Sequence, residues 1–104
     1  MIIVAFGLPG SGKSFFAEKL AGKLGATHIN SDRIRNTLGS RGKYSLHDKL
    51  IVYHAMADKV SDCITMGKDV VVDGTFSKRD MINIFLALAR TLQRSIYFIK
   101  IEAD

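Results

Sequence analysis

Five consecutive apolar residues, IIVAF at positions 2 to 6, open the chain and lead straight into Gly and Pro. A short unbroken apolar run rich in β-branched types predicts a strand buried on both faces. The period then changes. Phe16, Leu20 and Leu24 recur every four residues, which predicts a helix, and Gly25 stands where that helix should end. THIN reads as a second strand, and SDRIRNTL as a short helix closing near Gly39. SRGKYS, residues 40 to 45, is polar and contains Gly, so it predicts an exposed loop.

Ser45 with Asp48 three positions on resembles a capping box and opens a long helix. Its predicted inward face is Leu46, Leu50, Tyr53, Ala57, Val60 and Ile64, and Gly67 stops it. VVV, residues 70 to 72, is another buried strand, closed by Asp73-Gly74. Ser77 and Asp80 repeat the capping pattern before a helix through Leu92, with Met81, Phe85, Leu88 and Leu92 inward. SIYFIKI supplies a last strand. Strands alternate with helices from end to end, which predicts an α/β fold: a mostly parallel sheet covered by helices on both faces. No repeat, low-complexity tract or linker divides the chain, so residues 1–104 are expected to form one domain.

Composition narrows the partners. With 47% hydrophobic residues the 104-residue chain has material for a core, and no apolar run approaches the roughly 18 residues of a membrane span. IIVAF is too short for a signal-peptide core and lacks a basic leader. The single cysteine, Cys63, excludes an internal disulfide and suits a reducing compartment, so a cytoplasmic location is expected. A net charge of +5 favours anionic ligands, although the basic residues form no dense run.

The chemistry is carried by GLPGSGKS, residues 7 to 14, between the first strand and the first helix. Gly7, Gly12, Lys13 and Ser14 fit G-x-x-x-x-G-K-[ST] without mismatch, with Gly10 an additional glycine inside it. Glycines let successive backbone N–H groups point into one concavity, and the helix start adds its positive dipole end. Lys13 reaches the outer phosphates as a point charge, and the Ser14 hydroxyl can ligate Mg²⁺. Pro9 has no N–H, so the cradle is expected from Gly10, Ser11, Gly12, Lys13, Ser14 and Phe15. A nucleoside triphosphate is the predicted ligand, and the fold is expected to be that of a P-loop NTPase.

GLPGSGKS, then INSDRIR after the second strand, then VVVDGTF after the third resemble a group of small P-loop kinases. The group is the AAA-type ATP-binding one that includes adenylylsulfate kinase-like, gluconate kinase-like, zeta-toxin-like and polynucleotide 5′-kinase-like proteins. The resemblance implies ATP and Mg²⁺ as cofactors and a hydroxyl acceptor on a small metabolite or a nucleic acid 5′ end. Transfer to a hydroxyl needs a carboxylate for its proton, and Asp32 opens a helix beside the phosphate loop. Ser31 or Asp32 equally suits a helix N-cap, and the two roles are compatible. In polynucleotide kinase-like relatives the Asp matching Asp32 is the base, and an Arg matching Arg35 binds the acceptor's phosphate; on position alone Arg35 is a surface arginine. VVVD resembles the apolar run plus Asp that positions Mg²⁺, giving Asp73 a place at the metal or acceptor, against the alternative of a turn-starting carboxylate. Thr75 can add a hydroxyl there. Lys43 and Tyr44 lie in the loop where acceptor-binding segments occur in the group.

Relatives continue past the last strand with an arginine-bearing lid and a further strand and helix, whereas this chain stops at IEAD. The sequence is therefore expected to be an incomplete kinase domain. The alternatives are a non-catalytic ATP-binding module or inactive fragment, and a nucleic-acid binder driven by charge. His28, His47 and His54 share no metal-ligand spacing and carry no predicted role.

Overall fold

The structure is a computed structural model that describes residues 1–102; the last two residues of the IEAD ending, 103 and 104, lie outside the described residues. The chain runs β1 (Ile2–Phe6), α1 (Lys13–Leu24), β2 (Thr27–Asn30), α2 (Ser31–Thr37), α3 (Leu46–Thr65), β3 (Val70–Gly74), α4 (Arg79–Leu92) and β4 (Ile96–Lys100). The four strands form one sheet in the order β2-β3-β1-β4, and every pairing is parallel.

The unbroken apolar strands follow from burial on both faces. Ile3, Ala5 and Val71 face α1, which meets them with Ala17 and Ala21. Ile2, Val4, Val70 and Val72 point the other way, into a larger core built from α2, α3 and α4. The result is three layers with the sheet in the middle. After β1 the chain turns to the α1 face, while after β3 it turns to the α4 face. The carboxyl ends of β1 and β3 therefore flank the kind of crevice in which open α/β sheets bind ligands.

Several local expectations need correction. In α1 the residues against the sheet are Ala17 and Ala21; Phe16 and Leu20 pack at the sides and Leu24 is exposed. Small side chains let the helix axis approach the sheet, which four-residue spacing of large residues does not reveal. In α3 the buried face includes Val52 and Met56, whereas Leu46 is exposed. Ala89 joins Met81 and Phe85 as the buried residues of α4, with Leu88 and Leu92 only partly covered. Ser45 caps α3 as expected, accepting from the Asp48 N–H at 3.1 Å. Ser77 does not cap α4; its N-cap position is Lys78, without a side-chain hydrogen bond. The cap of α2 is Asn30, the last residue of β2, whose side chain accepts from the Arg33 N–H at 2.9 Å. Ser31 and Asp32 are thus not the cap, and the Asp32 carboxylate is left for other work.

Tyr53 does more than keep the helical step. Its buried ring meets Phe76 edge to face at 4.8 Å, and its hydroxyl accepts the Phe76 N–H at 3.1 Å. Phe76 sits at φ 47, so this bond holds the left-handed turn that leaves β3.

Candidate functional site

The loop after β1 uses its glycines for two different reasons. Ile101 donates its N–H to the Phe6 carbonyl at 2.8 Å, extending the β1–β4 ladder past the strand ends. A Cβ on Gly7 would run into the Ile101 carbonyl oxygen and come within 3.0 Å of Ser11 Oγ, so only glycine fits there. Gly10 and Gly12 have open space but sit at φ 80 and φ 87, where a side chain is strained.

The donors can be followed one by one. Ser11 gives its N–H to the Leu8 carbonyl at 3.1 Å, which removes it from the expected cradle as a backbone donor. The first N–H bonded back into α1 is that of Phe16, to the Gly12 carbonyl at 3.0 Å. Among the described residues, the N–H groups of Gly10, Gly12, Lys13, Ser14 and Phe15 have no such partner. No acidic side chain occupies the first turn of α1, so its positive end is not neutralised. Lys13 forms no ion pair among the described residues. The arrangement is an electropositive anion cradle.

Beneath it lies a buried polar knot. Asp73 is fully buried as the fourth residue of β3, inside the strand and not at the start of a turn. Its Oδ1 accepts from the Ser14 hydroxyl at 2.9 Å and from the Asn30 side-chain amide at 2.8 Å. The same amide reaches Ser14 Oγ at 3.0 Å, so Asn30 spends both amide hydrogens here and its carbonyl on capping α2. His28 Nε2 meets the second oxygen, Oδ2. Parallel register explains the gathering: Asn30 pairs with Asp73 and His28 with Val71, all on the face that α1 covers. Neither His28 nor Asn30 was expected to belong to the site. The available signal was alternation, since two polar side chains two residues apart on a buried strand must find partners.

The knot fits Mg²⁺. Ser14 Oγ donates its hydrogen to Asp73 and uses one lone pair on Asn30, which leaves one lone pair for a hard cation. Asp73 accepts two hydrogens on Oδ1 and is fully buried, so its carboxylate orients the Ser14 hydroxyl, while phosphates and water would complete a Mg²⁺ shell beside the cradle. Among the described residues no group of three His, Cys, Asp or Glu gathers into a closed protein cage.

Asp32 lies in the first turn of α2, immediately after the Asn30 cap. Its side chain is 76% exposed, and Oδ1 accepts from Arg35 at 2.8 Å. Arg35 is buried rather than a surface residue: its guanidinium lies under the Tyr44 ring at 4.7 Å, and its Nε has no partner. The structure thus brings Ser14 to Asp73, and Asp32 to Arg35 and Tyr44, with Asn30 bonded to the first pair and capping the helix that carries Asp32 and Arg35. Lys43 is exposed, Thr75 is half-buried, and neither side chain bonds to these clusters among the described residues. Hollows of about 450 and 320 Å³ lie on the outer face of α1 and along β2, and neither is walled by Lys13, Ser14 or Asp73.

A family model described as an AAA domain matches residues 2–104. No curated protein matches the chain. Among solved structures, a sugar kinase from Janibacter sp. is similar at 18% identity and TM-score 0.75, over 97% of this chain and 59% of that one. The APS kinase of Mycobacterium tuberculosis, in complex with AMPPNP and APS, is similar at 18% identity and TM-score 0.77, over 95% of this chain and 60% of that one. A chain of the Pnkp1/Rnl/Hen1 RNA repair complex is similar at 20% identity and TM-score 0.77, over 96% of this chain and 32% of that one. This chain therefore spans about three fifths, or less, of the length of these structures. At such identities the likeness carries the fold, which is that of P-loop kinases.

Proposed function

The chain belongs to the AAA-domain family, and from that premise we propose that it is the nucleotide-binding domain of an ATP-dependent phosphotransferase with a hydroxyl acceptor. The observation that carries this reading is the Ser14–Asp73 hydrogen bond at the mouth of the amide cradle, with Asp32 opening the adjacent helix. The free N–H groups from Gly10 to Phe15, without Ser11, hold the β- and γ-phosphates, and Lys13 bridges their oxygens. Ser14 and Asp73 would hold Mg²⁺, the hydroxyl directly and the carboxylate through its hydrogen bond to that hydroxyl, and the ion would neutralise charge on those phosphates.

In the transfer, the acceptor oxygen forms a bond to the γ-phosphorus while the bond from that phosphorus to the β–γ bridging oxygen breaks, releasing ADP. The acceptor's proton goes to Asp32. That carboxylate is suited to the task because Arg35 occupies only Oδ1, leaving Oδ2 free among the described residues. Arg35, whose guanidinium lies against the exposed ring of Tyr44 beside Asp32, contacts the acceptor together with that ring and favours an anionic group on it. Two acceptor classes fit, a small metabolite and a nucleic acid 5′ end, the likeness to sugar and APS kinases and to a chain of an RNA repair complex supporting both.

Calorimetry with ATP and Mg²⁺ tests the cradle, and labelled ATP offered with sugars, nucleosides, adenylylsulfate and 5′-hydroxyl oligonucleotides tests the transfer. Asp32→Asn should abolish transfer while ATP binding and folding persist, because the Asn side-chain carbonyl can still accept from the buried Arg35 guanidinium while it can take no proton from the acceptor. Full turnover in that variant removes Asp32 from the mechanism. Binding without transfer to any acceptor identifies a non-catalytic ATP-binding module, and absence of binding overturns the reading altogether.

A further inference from the structure

Asp73 has two carboxylate oxygens, and Ser14 and Asn30 account for only one. The torsion that swings a carboxylate about its Cβ–Cγ bond is soft and two-fold, so bonds to a single oxygen do not fix its plane. The other oxygen is as deeply buried, since Asp73 has no exposed surface, and His28 is its partner. The carboxylate can only accept, so Nε2 is the donating nitrogen of the ring. His28 Nδ1 is also buried and has no partner among the described residues. Among the described residues Asp73 is thus the one polar group that holds this imidazole. A histidine pointing into a sheet face under a helix has no packing advantage over the valine or isoleucine common in such strands. Its hydrogen bond is what sets it apart.

We infer that His28 is a positioning residue: it locks the Asp73 carboxylate so that Oδ1 stays on Ser14 at the mouth of the cradle. The inference rests on the proposed nucleotide site and adds to it a residue two strands away from the phosphate loop. His28 acts through Asp73 and touches neither nucleotide nor acceptor. Removing it frees the carboxylate to rotate and leaves Oδ2 buried without a donor, which loosens the Ser14 hydroxyl that would face the metal and not the backbone cradle.

The test is ATP affinity measured by calorimetry in Mg²⁺ and again in EDTA, on the wild type, His28→Ala and His28→Gln. Loss of a partner that orients a metal-facing ligand typically costs about ten- to a hundredfold in metal affinity. His28→Ala should therefore lose about that much of its Mg²⁺-dependent ATP affinity and retain the wild-type affinity in EDTA. His28→Gln, whose amide can still donate to Oδ2, should recover most of the loss. Equal losses in Mg²⁺ and EDTA, or no loss at all, overturn the inference. Long-range ¹⁵N–¹H spectra of the ligand-free wild type provide a measurement that needs no variant to fold: Nε2 should carry a hydrogen, and an Nε2 without one overturns the inference. A wild type that binds ATP under neither condition sinks the nucleotide reading and this role together, whereas a wild type that binds normally with an indifferent His28→Ala sinks this role alone.

Discussion

Asn30 caps α2, bridges to Ser14 and satisfies Asp73, and its substitution separates these tasks. Asn30→Ser keeps a competent cap but loses the amide donors. A hydrogen bond to a charged group is worth about 1.5–3 kcal/mol, and the bond at risk is the 2.8 Å one to the buried Asp73. Asn30→Ala loses the cap as well, adding about 1 kcal/mol. Asn30→Asp is the informative case, because Asp caps as well as Asn does. It places a carboxylate oxygen where the donor stood, 2.8 Å from Asp73 Oδ1. Two full charges at that separation repel by about 6 kcal/mol at an effective dielectric of about 20. That is a ceiling, since the pair relaxes by sharing a proton. The folded variant then binds a proton that the unfolded chain does not at the same pH, so its stability falls as pH rises. Urea denaturation followed by circular dichroism should rank the variants wild type, Ser, Ala, Asp at neutral pH, with the Asp deficit shrinking on acidification. An Asp variant as stable as the Ser variant and indifferent to pH refutes the bridge to Asp73.

Tyr53→Phe keeps the ring contacts with Phe76 but strips the acceptor from a buried N–H, at a cost of about 1–3 kcal/mol, or a Tm lower by about 4–8 °C per kcal/mol in thermal unfolding. Gly7→Ala forces the Ile101 carbonyl away from the loop; about 1–3 kcal/mol of stability should be lost, along with ATP affinity read by calorimetry. Arg35→Lys removes the planar fork that pairs with Asp32 and lies against Tyr44, so the KM for acceptor should rise while ATP affinity in Mg²⁺ is unchanged, as steady-state kinetics and calorimetry would register.

The sequence alone determined what depends on neighbours along the chain. Strand and helix periods, the Ser45 cap and the glycines of residues 7 to 14 are local features whose physics is set within a few residues, and each expected element forms, although β3 runs on through Asp73 and Gly74 and α4 starts without the Ser77 cap. The P-loop kinase fold was readable for the same reason, because a strand, a glycine-rich turn and a helix in immediate succession define it. Tertiary structure decided which residues stand opposite one another. The resemblance put Ser14 and Asp73 at one metal, but it did not bring in His28 and Asn30; they join because β2 pairs in register with β3 and α1 lies across both. The same holds for the cap of α2, where a strand residue displaced Ser31 and Asp32, and for Arg35, which packing against Tyr44 turned from a surface arginine into a buried one. Hydrogen-bond partners across a sheet are chosen by register and helix placement, and those emerge only when the whole chain has folded.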